Sequence, residues 1–174
     1  MRRRDFIRYL GLGSVAVTIP EAMHAVPAAA TTLCSDKKTK PISGSWFEFQ
    51  HSAAEGGYWN EALAHFTADQ WRRKVFEIRE VGMEYLVLMG VAPAGKPFYP
   101  SKIAPRIPMG CDDPLEAVLS AADECGIKFF VSNDFWGDLD AYNMMLDKGV
   151  QTVRFQAMEE IAERYSHHAC FYGW

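Results

Sequence analysis

The sequence feature that most constrains the fold is a short apolar run over residues 85–89, Tyr-Leu-Val-Leu-Met. It follows an amphipathic helical pattern that Gly82 ends. The run is too short for a buried helix, and its apolar residues do not alternate with polar ones. The pattern therefore predicts an inner parallel strand that is buried on both faces.

The same order of helix, turn and apolar run recurs along the chain. A helical pattern ending at Gly126 leads into residues 127–132, and another, ending at residues 166–168, leads into residues 169–174. Residues 44–50 have strand character without a preceding helix. Strand-like runs about 40 residues apart, with helices between them, are typical of βα units on a parallel sheet. The predicted fold class is α/β with four parallel strands.

The N-terminus carries a targeting pattern. Paired arginines, Arg3 and Arg4, precede an apolar stretch over residues 9–19 and small residues over 25–30. This order resembles a twin-arginine export signal, an address that is read by a receptor. A stable membrane span is not predicted, because a spanning helix needs about 20 apolar residues. We predict a signal peptide over residues 1–30, export by the twin-arginine machinery and a periplasmic or secreted location, with a linker over residues 31–41.

Charge and cysteine spacing exclude two kinds of function. The net charge is -4, and Lys and Arg are scattered among acids, so no nucleic-acid-binding stripe is predicted. No C-x-x-C pair occurs among the four cysteines, which argues against a zinc-cysteine site. Two of them stand where small apolar core residues belong. The cysteines are Cys34, Cys111, Cys125 and Cys170, and the two core positions are Cys125 and Cys170.

The first predicted strand, over residues 45–50, has two different faces. Trp46, Glu48 and Gln50 share one face, and Phe47 and Phe49 share the other. An unpaired carboxylate beneath a layer of helices is costly, so the phenylalanines are predicted to face the helices. Glu48 and Gln50 are then predicted to point into whatever the strands enclose.

Caps and apolar spacing predict the helices. Thr67 begins one with Gln70 in a capping box, and a second begins at Asp113 and Pro114. Residues 140–147 predict one or two helical turns closed by Gly149, followed by a helix over residues 150–165. The predicted inward residues are Trp71, Val75, Ile78 and Val81, then Leu115, Val118, Leu119 and Ala122, then Val153, Ala157, Ile161 and Ala162. The predicted outward residues of the last helix are Glu159, Glu160, Glu163 and Arg164.

Polar groups gather after the predicted strands, where ligands bind in parallel α/β folds. A proline-rich loop over residues 90–112 is long enough to be a lid or a binding loop. We predict that the ligand-binding side chains are Glu48, Gln50, His51, Asn133, Asp134 and Trp136. No recognised ligand spacing joins Glu48, His51 and Asp134, so neither a metal nor another cofactor is predicted. His167 and His168 precede the last strand, at the opposite face, and are predicted to be structural.

Six segments in a fixed order resemble a known family. They are residues 44–50, Trp71, and residues 82–88, 98–101, 113–115 and 121–130. In this order they resemble a bacterial domain of unknown function that is grouped with glycoside-hydrolase TIM barrels. The resemblance implies a carbohydrate ligand and a partial (β/α)8 TIM barrel, with the first four βα units over residues 42–174. A complete barrel needs about 250 residues.

The resemblance also implies where the catalytic groups lie. In related glycosidase barrels, a fourth strand that reads Phe-Tyr-Gly-Trp, as residues 171–174 do, continues into a segment with a general acid/base glutamate. The expected acid/base therefore lies beyond Trp174, and the 174-residue chain is predicted to be inactive. Glu48 and Asp134 are the strand-end acids available for a carboxylate pair, although single strand-end acids more often bind substrate.

Several interpretations stay open at this point. The full-length protein is either a glycoside hydrolase, a non-catalytic carbohydrate-binding barrel or a sugar isomerase-like barrel with metal-binding residues on later strands. Some loop aromatics either stack on sugar rings or anchor their loops. These aromatics are Tyr58, Trp59, Tyr99 and Trp136.

Overall fold

The computed structural model describes residues 41–50, 61–133, Trp136 and 146–174. Within these residues, the four predicted strands and three predicted helices follow each other in the predicted order, and a short helix over Glu61–Ala64 was not predicted. The strands are β1 (Gly44–Phe47), β2 (Tyr85–Leu88), β3 (Lys128–Val131) and β4 (Phe171–Gly173). The helices are α1 (Glu61–Ala64), α2 (Ala68–Glu80), α3 (Pro114–Cys125) and α4 (Lys148–Tyr165), and a 3-10 turn spans Pro93–Gly95.

The four strands form one parallel sheet in the order β1-β2-β3-β4. Register places Phe47, Leu88 and Val131 in one row across the first three strands. Leu86 and Phe129 lie in a neighbouring row on the same face. Leu86, Leu88, Phe129 and Val131 are fully buried, so this face of the sheet carries the hydrophobic core.

Local signals set the starts of α2 and α3 and the end of α3 as predicted. Thr67 and Gln70 form the capping box of α2, and the Asp113 side chain accepts from the backbone N–H of Glu116 at the start of α3. Gly126 takes the left-handed conformation that ends α3. The predicted inward residues of α3 are all fully buried: Leu115, Val118, Leu119 and Ala122. Val75 of α2 and Ala157 and Ile161 of α4 are fully buried as well.

Three predictions about the ends of strands and helices are wrong. Strand β1 ends at Phe47, because β2 ends opposite it at Leu88 and Gly90 then turns the partner chain away with a φ of 78°. Val81 is 69% exposed, because α2 ends at Glu80. Gly149 does not close a turn, since α4 already begins at Lys148; residues 140–145 lie outside the described residues.

The second face of the sheet is open in the described residues, so the prediction that β2 is buried on both faces is wrong. Tyr85 is 39% exposed, Trp46 67% and Tyr172 59%. The reason is that the helices cover one face only. On the open face, the Phe130 ring packs edge-on against Tyr85 and Tyr172, with ring centroids 6.5 and 5.5 Å apart. None of the described helices has the length and apolar composition of a membrane span.

The long loop over residues 90–112 is fixed to α4 by a buried carboxylate. Glu160 accepts hydrogen bonds from the Tyr99 hydroxyl at 3.1 Å, the Ser101 hydroxyl at 2.6 Å and the Lys102 backbone N–H at 2.6 Å. The prediction that Glu160 faces solvent is therefore wrong, because three donors from the loop compensate its loss of water. Glu159 beside it is exposed, as predicted.

Replacing Glu160 tests this anchor. We expect Glu160→Leu to lower the free energy of unfolding by roughly 2–3 kcal/mol, because it leaves the hydroxyl of the fully buried Tyr99 without its acceptor. Urea unfolding measures the change. Glu159→Leu is the matched control on the same helix and should change stability by less than about 0.5 kcal/mol. Equal effects of the two variants would show that the loop does not depend on Glu160.

Candidate functional site

The carboxyl ends of the strands form one edge of the sheet. We call residues 48–50, 89–91 and 132–133, which follow β1, β2 and β3, the carboxyl edge. Backbone hydrogen bonds continue past the paired strands: the Met89 N–H donates to the Phe47 carbonyl at 2.9 Å, and the Val91 N–H donates to the Ser132 carbonyl at 3.1 Å. These bonds hold the three chain segments side by side, so their side chains share one region.

Gln50 is the most unusual residue of this edge. It is 6% exposed, and its Oε1 atom is buried without a hydrogen-bond partner in the described part of the chain. The preceding residue, Phe49, is fully buried, and its ring packs against Trp71 and Phe98 at centroid distances of 5.1 and 5.2 Å. This packing fixes the backbone beside Gln50. Buried carbonyl oxygens without partners are rare, so the described fold alone does not explain an amide at this position.

Asn133 and Trp136 form a second polar group. The Trp136 indole N–H donates to Asn133 Oδ1 at 2.7 Å, and Asn133 Nδ2 donates to the Arg154 carbonyl at 2.7 Å. Arg154 Nε donates back to the Asn133 carbonyl at 3.1 Å. The network fixes the segment after β3 to α4, and both Asn133 and Trp136 are buried. Their predicted contact with a ligand stays a prediction.

The structure describes only some of the other predicted site residues. Glu48 is half-buried and already engaged in an interaction. Tyr99 is fully buried against α4, so the idea that it stacks on a sugar ring is wrong and the loop-anchoring alternative is correct. Four predicted site residues lie outside the described residues: His51, Tyr58, Trp59 and Asp134.

The described carboxyl edge carries mainly uncharged side chains. Its side-chain amides, from Gln50 and Asn133, are neutral and offer both donors and acceptors. Glu48 is the one acid among residues 48–50, 89–91 and 132–133. Hydrolysis of a glycosidic bond needs two carboxyl groups, so the described part of this edge supplies at most one of them.

A histidine with two carboxylate partners, His168, lies at the opposite end of the sheet. Burial lowers the pKa of His168, but hydrogen bonds to Glu116 and Asp123 outweigh it and leave that pKa raised. Two groups of possible metal ligands lie here, Glu116 with His167 and His168, and Asp123 with His168 and Cys170. The sequence does not reveal these groups, because 45 and 52 residues separate His168 from its two carboxylates. The available signal was the His-His pair before a strand.

Comparisons with known proteins bear on the fold. A proposed alpha-L-fucosidase from Bacteroides thetaiotaomicron matches with a TM-score of 0.51 and 16% sequence identity over 76% of this chain and 40% of that chain. This likeness confirms the predicted fold class, a partial TIM barrel with four parallel strands. An alpha-L-fucosidase of GH29 from the same organism has a TM-score of 0.43 and 19% identity, over 70% of this chain and 36% of that one.

The chain spans less than half the length of these solved structures. None of the curated proteins matches its sequence. The family described as a domain of unknown function (DUF4434) matches residues 42–174. Because the match extends over more than half of the sequence, the chain belongs to the DUF4434 family.

Proposed function

We propose that this chain forms the first half of an exported, carbohydrate-active barrel of the glycoside-hydrolase type, and that a sugar binds at its carboxyl edge. The observation that carries the proposal is Gln50, whose buried Oε1 has no hydrogen-bond partner in the described residues. Sugars present several hydroxyl donors on an uncharged ring. A neutral amide acceptor beside buried aromatic rings suits such a donor.

The location of Gln50 supports the same proposal. In parallel α/β folds, ligands bind beyond the carboxyl ends of the strands. Gln50 follows β1, and Asn133 follows β3, at this end of the sheet. The amino end, by contrast, is where stabilising residues are expected in a barrel.

The open face of the sheet supports a barrel that further strands complete. Trp46, Tyr85, Phe130 and Tyr172 lie on this face, and large apolar side chains fill the interior of a closed barrel in layers. In that arrangement these side chains would pack against side chains of later strands. The proposal therefore assigns ligand binding to this half and the general acid/base to a segment beyond Trp174.

A non-catalytic sugar-binding barrel is the second candidate. The observation that favours it is the composition of the described carboxyl edge, where Glu48 is the one acid. A retaining enzyme needs two carboxyl groups about 5–5.5 Å apart, and an inverting enzyme needs them roughly 6.5–9.5 Å apart. A second acid on a later strand, at one of these separations from a first, would favour the hydrolase.

Gln50→Leu tests whether the amide is present for a ligand. We expect this variant to raise the free energy of unfolding by about 1 kcal/mol, because it replaces a buried unpaired carbonyl with an apolar group of similar size. Thermal and urea unfolding measure the change. Gln156→Leu, at an exposed position of α4, is the matched control and should leave stability within about 0.5 kcal/mol of wild type. Loss of stability in Gln50→Leu alone would show that its amide is paired.

Sugar binding by the 174-residue chain is the functional test. Ligand-observed NMR with a panel of monosaccharides, L-fucose included, should detect binding by wild type. We expect Gln50→Leu to weaken it at least tenfold, the effect of about 1.4 kcal/mol, and Gln156→Leu to leave it unchanged. Turnover of aryl glycosides is not expected from this chain. If no sugar of the panel binds, or if Gln50→Leu binds as wild type does, the proposed site is wrong.

Export is tested by substitutions that keep the charge. Arg3→Lys together with Arg4→Lys should retain the precursor in the cytoplasm of a bacterial host, because a twin-arginine signal is read by a receptor and is not a simple charge effect. Fractionation followed by immunoblotting measures the distribution. Arg8→Lys is the control and should be exported normally. Normal export of the double variant would exclude the twin-arginine route.

A further inference from the structure

Four ligand-type side chains meet at the amino end of β4. Glu116 and Asp123 lie on α3 at a spacing of seven residues, which places them on one side of the helix. His167 and His168 lie in the turn between α4 and β4. Packing of this turn against α3 brings the two histidines next to carboxylates that are far away in the sequence.

The His168 ring lies between the two carboxylates. Its Nδ1 atom is 2.7 Å from Asp123 Oδ2, and its Nε2 atom is 3.1 Å from Glu116 Oε2. His168 is 6% exposed, whereas His167 is exposed and its ring stacks on that of His168 with centroids 4.1 Å apart. One ligand atom from each of Glu116, His167 and His168 lies within 4.8 Å of the other two.

The hydrogen bond between His168 Nδ1 and Asp123 determines whether a proton or a lone pair of Nε2 faces Glu116. Asp123 is held in place because its Oδ1 accepts the Cys170 backbone N–H at 2.6 Å. When Nδ1–H donates to Asp123, the Nε2 lone pair of a neutral ring points at the Glu116 carboxylate. Two acceptors at this distance repel, so a positive charge, either a proton or a metal cation, belongs between them.

The spacing suits a metal cation. Zn²⁺ binds His nitrogen and carboxylate oxygen at about 2.0–2.2 Å in tetrahedral geometry, so neighbouring ligand atoms lie roughly 3.3 Å apart. The 3.1 Å between His168 Nε2 and Glu116 Oε2 is close to this value. His167 is exposed, so its ring can rotate to become the third ligand. Asp123 then has the usual role of a carboxylate that orients a metal-binding histidine.

We propose that Glu116, His167 and His168 bind a divalent transition-metal cation of the Zn²⁺ type, with Asp123 orienting His168. Two histidines and one carboxylate form a common protein ligand set for Zn²⁺, with solvent in the fourth position. The cation links α3 to the start of β4. It lies at the end of the sheet opposite the carboxyl edge, where residues that stabilise a barrel are expected.

The alternative ligand set, Asp123, His168 and Cys170, fits less well. Both Asp123 oxygens already accept hydrogen bonds, and the Cys170 thiol donates to the Leu119 carbonyl at 3.2 Å. Burial also raises the pKa of that thiol, which disfavours the thiolate that a metal requires.

Metal binding by the full chain, purified without a polyhistidine tag, tests the proposal. We expect isothermal titration calorimetry to show one Zn²⁺ per chain at neutral pH, and Co²⁺ to give the visible absorption of a tetrahedral site. Zn²⁺ should also raise the melting temperature, because it binds the folded chain preferentially. His167→Ala should weaken Zn²⁺ binding at least tenfold and abolish the rise in melting temperature. His167 is exposed, so this variant should fold normally.

Two further variants give the experiment its controls. His65→Ala removes another exposed histidine, in the segment between α1 and α2, and should bind Zn²⁺ as wild type does. Glu116→Gln should weaken binding as His167→Ala does. Absence of stoichiometric Zn²⁺ binding would overturn the proposal and leave His168 as an imidazolium between two carboxylates. Binding that survives His167→Ala but is lost in Cys170→Ser would also overturn it, in favour of the alternative ligand set.

Discussion

An aromatic cluster around Trp71 determines where the carboxyl edge lies. The indole packs against Phe47, Phe49 and Phe66 at centroid distances of 6.1, 5.1 and 5.1 Å, and so joins β1 to α2. The cluster has a cost, because Trp71 Nε1 is buried without a partner in the described residues. Burial of about 200 Å² of ring contributes roughly 5 kcal/mol, more than the 1–3 kcal/mol or so that an unpaired N–H costs. The free energy gained by burying the ring therefore exceeds the cost of the unpaired N–H at this position.

The two ends of the sheet have different chemistry because parallel strands bring like ends together. The carboxyl edge presents neutral amides from Gln50 and Asn133 above the aromatic cluster. The amino end of β4 carries His168 between two carboxylates, and hydrogen bonds to Glu116 and Asp123 raise its pKa in spite of burial. The proposed sugar would meet uncharged amides at one end, and the proposed cation would meet a ring between two carboxylates at the other. The same sheet would then separate ligand binding from stabilisation.

The sequence predicts structural features that depend on neighbouring residues, and it does not predict those that depend on residues far away in the chain. The capping box at Thr67, the left-handed Gly126 and the apolar face of α3 were predictable because each depends on residues within a few positions. Glu160 was placed on the wrong side of its helix, since the donors that bury it lie 58 to 61 residues away. The open face of β2 was missed for a similar reason: whether an apolar strand is covered depends on elements elsewhere in the chain.

The carboxyl edge was predictable in position but not in detail. Strand ends can be located from apolar runs, so Gln50 and Asn133 were placed at the same end of the sheet. The two amides differ in their hydrogen bonds. Asn133 is paired, because Trp136 and Arg154 reach it from a later segment and a later helix. Gln50 Oε1 has no partner in the described residues. A sequence does not show which of two buried amides finds partners within the fold.

Two of the three buried side-chain atoms that have no hydrogen-bond partner in the described residues, Trp71 Nε1 and Gln50 Oε1, have different explanations. Burial of the indole ring offsets the cost of its unpaired N–H. The Gln50 side chain has two methylene groups, and burying them contributes only about 1.6 kcal/mol, similar to what the unpaired carbonyl costs. Leucine at position 50 would bury more apolar surface at no such cost. Packing alone therefore explains Trp71 but not Gln50, and the proposed binding of a hydroxyl donor at the carboxyl edge would account for the difference.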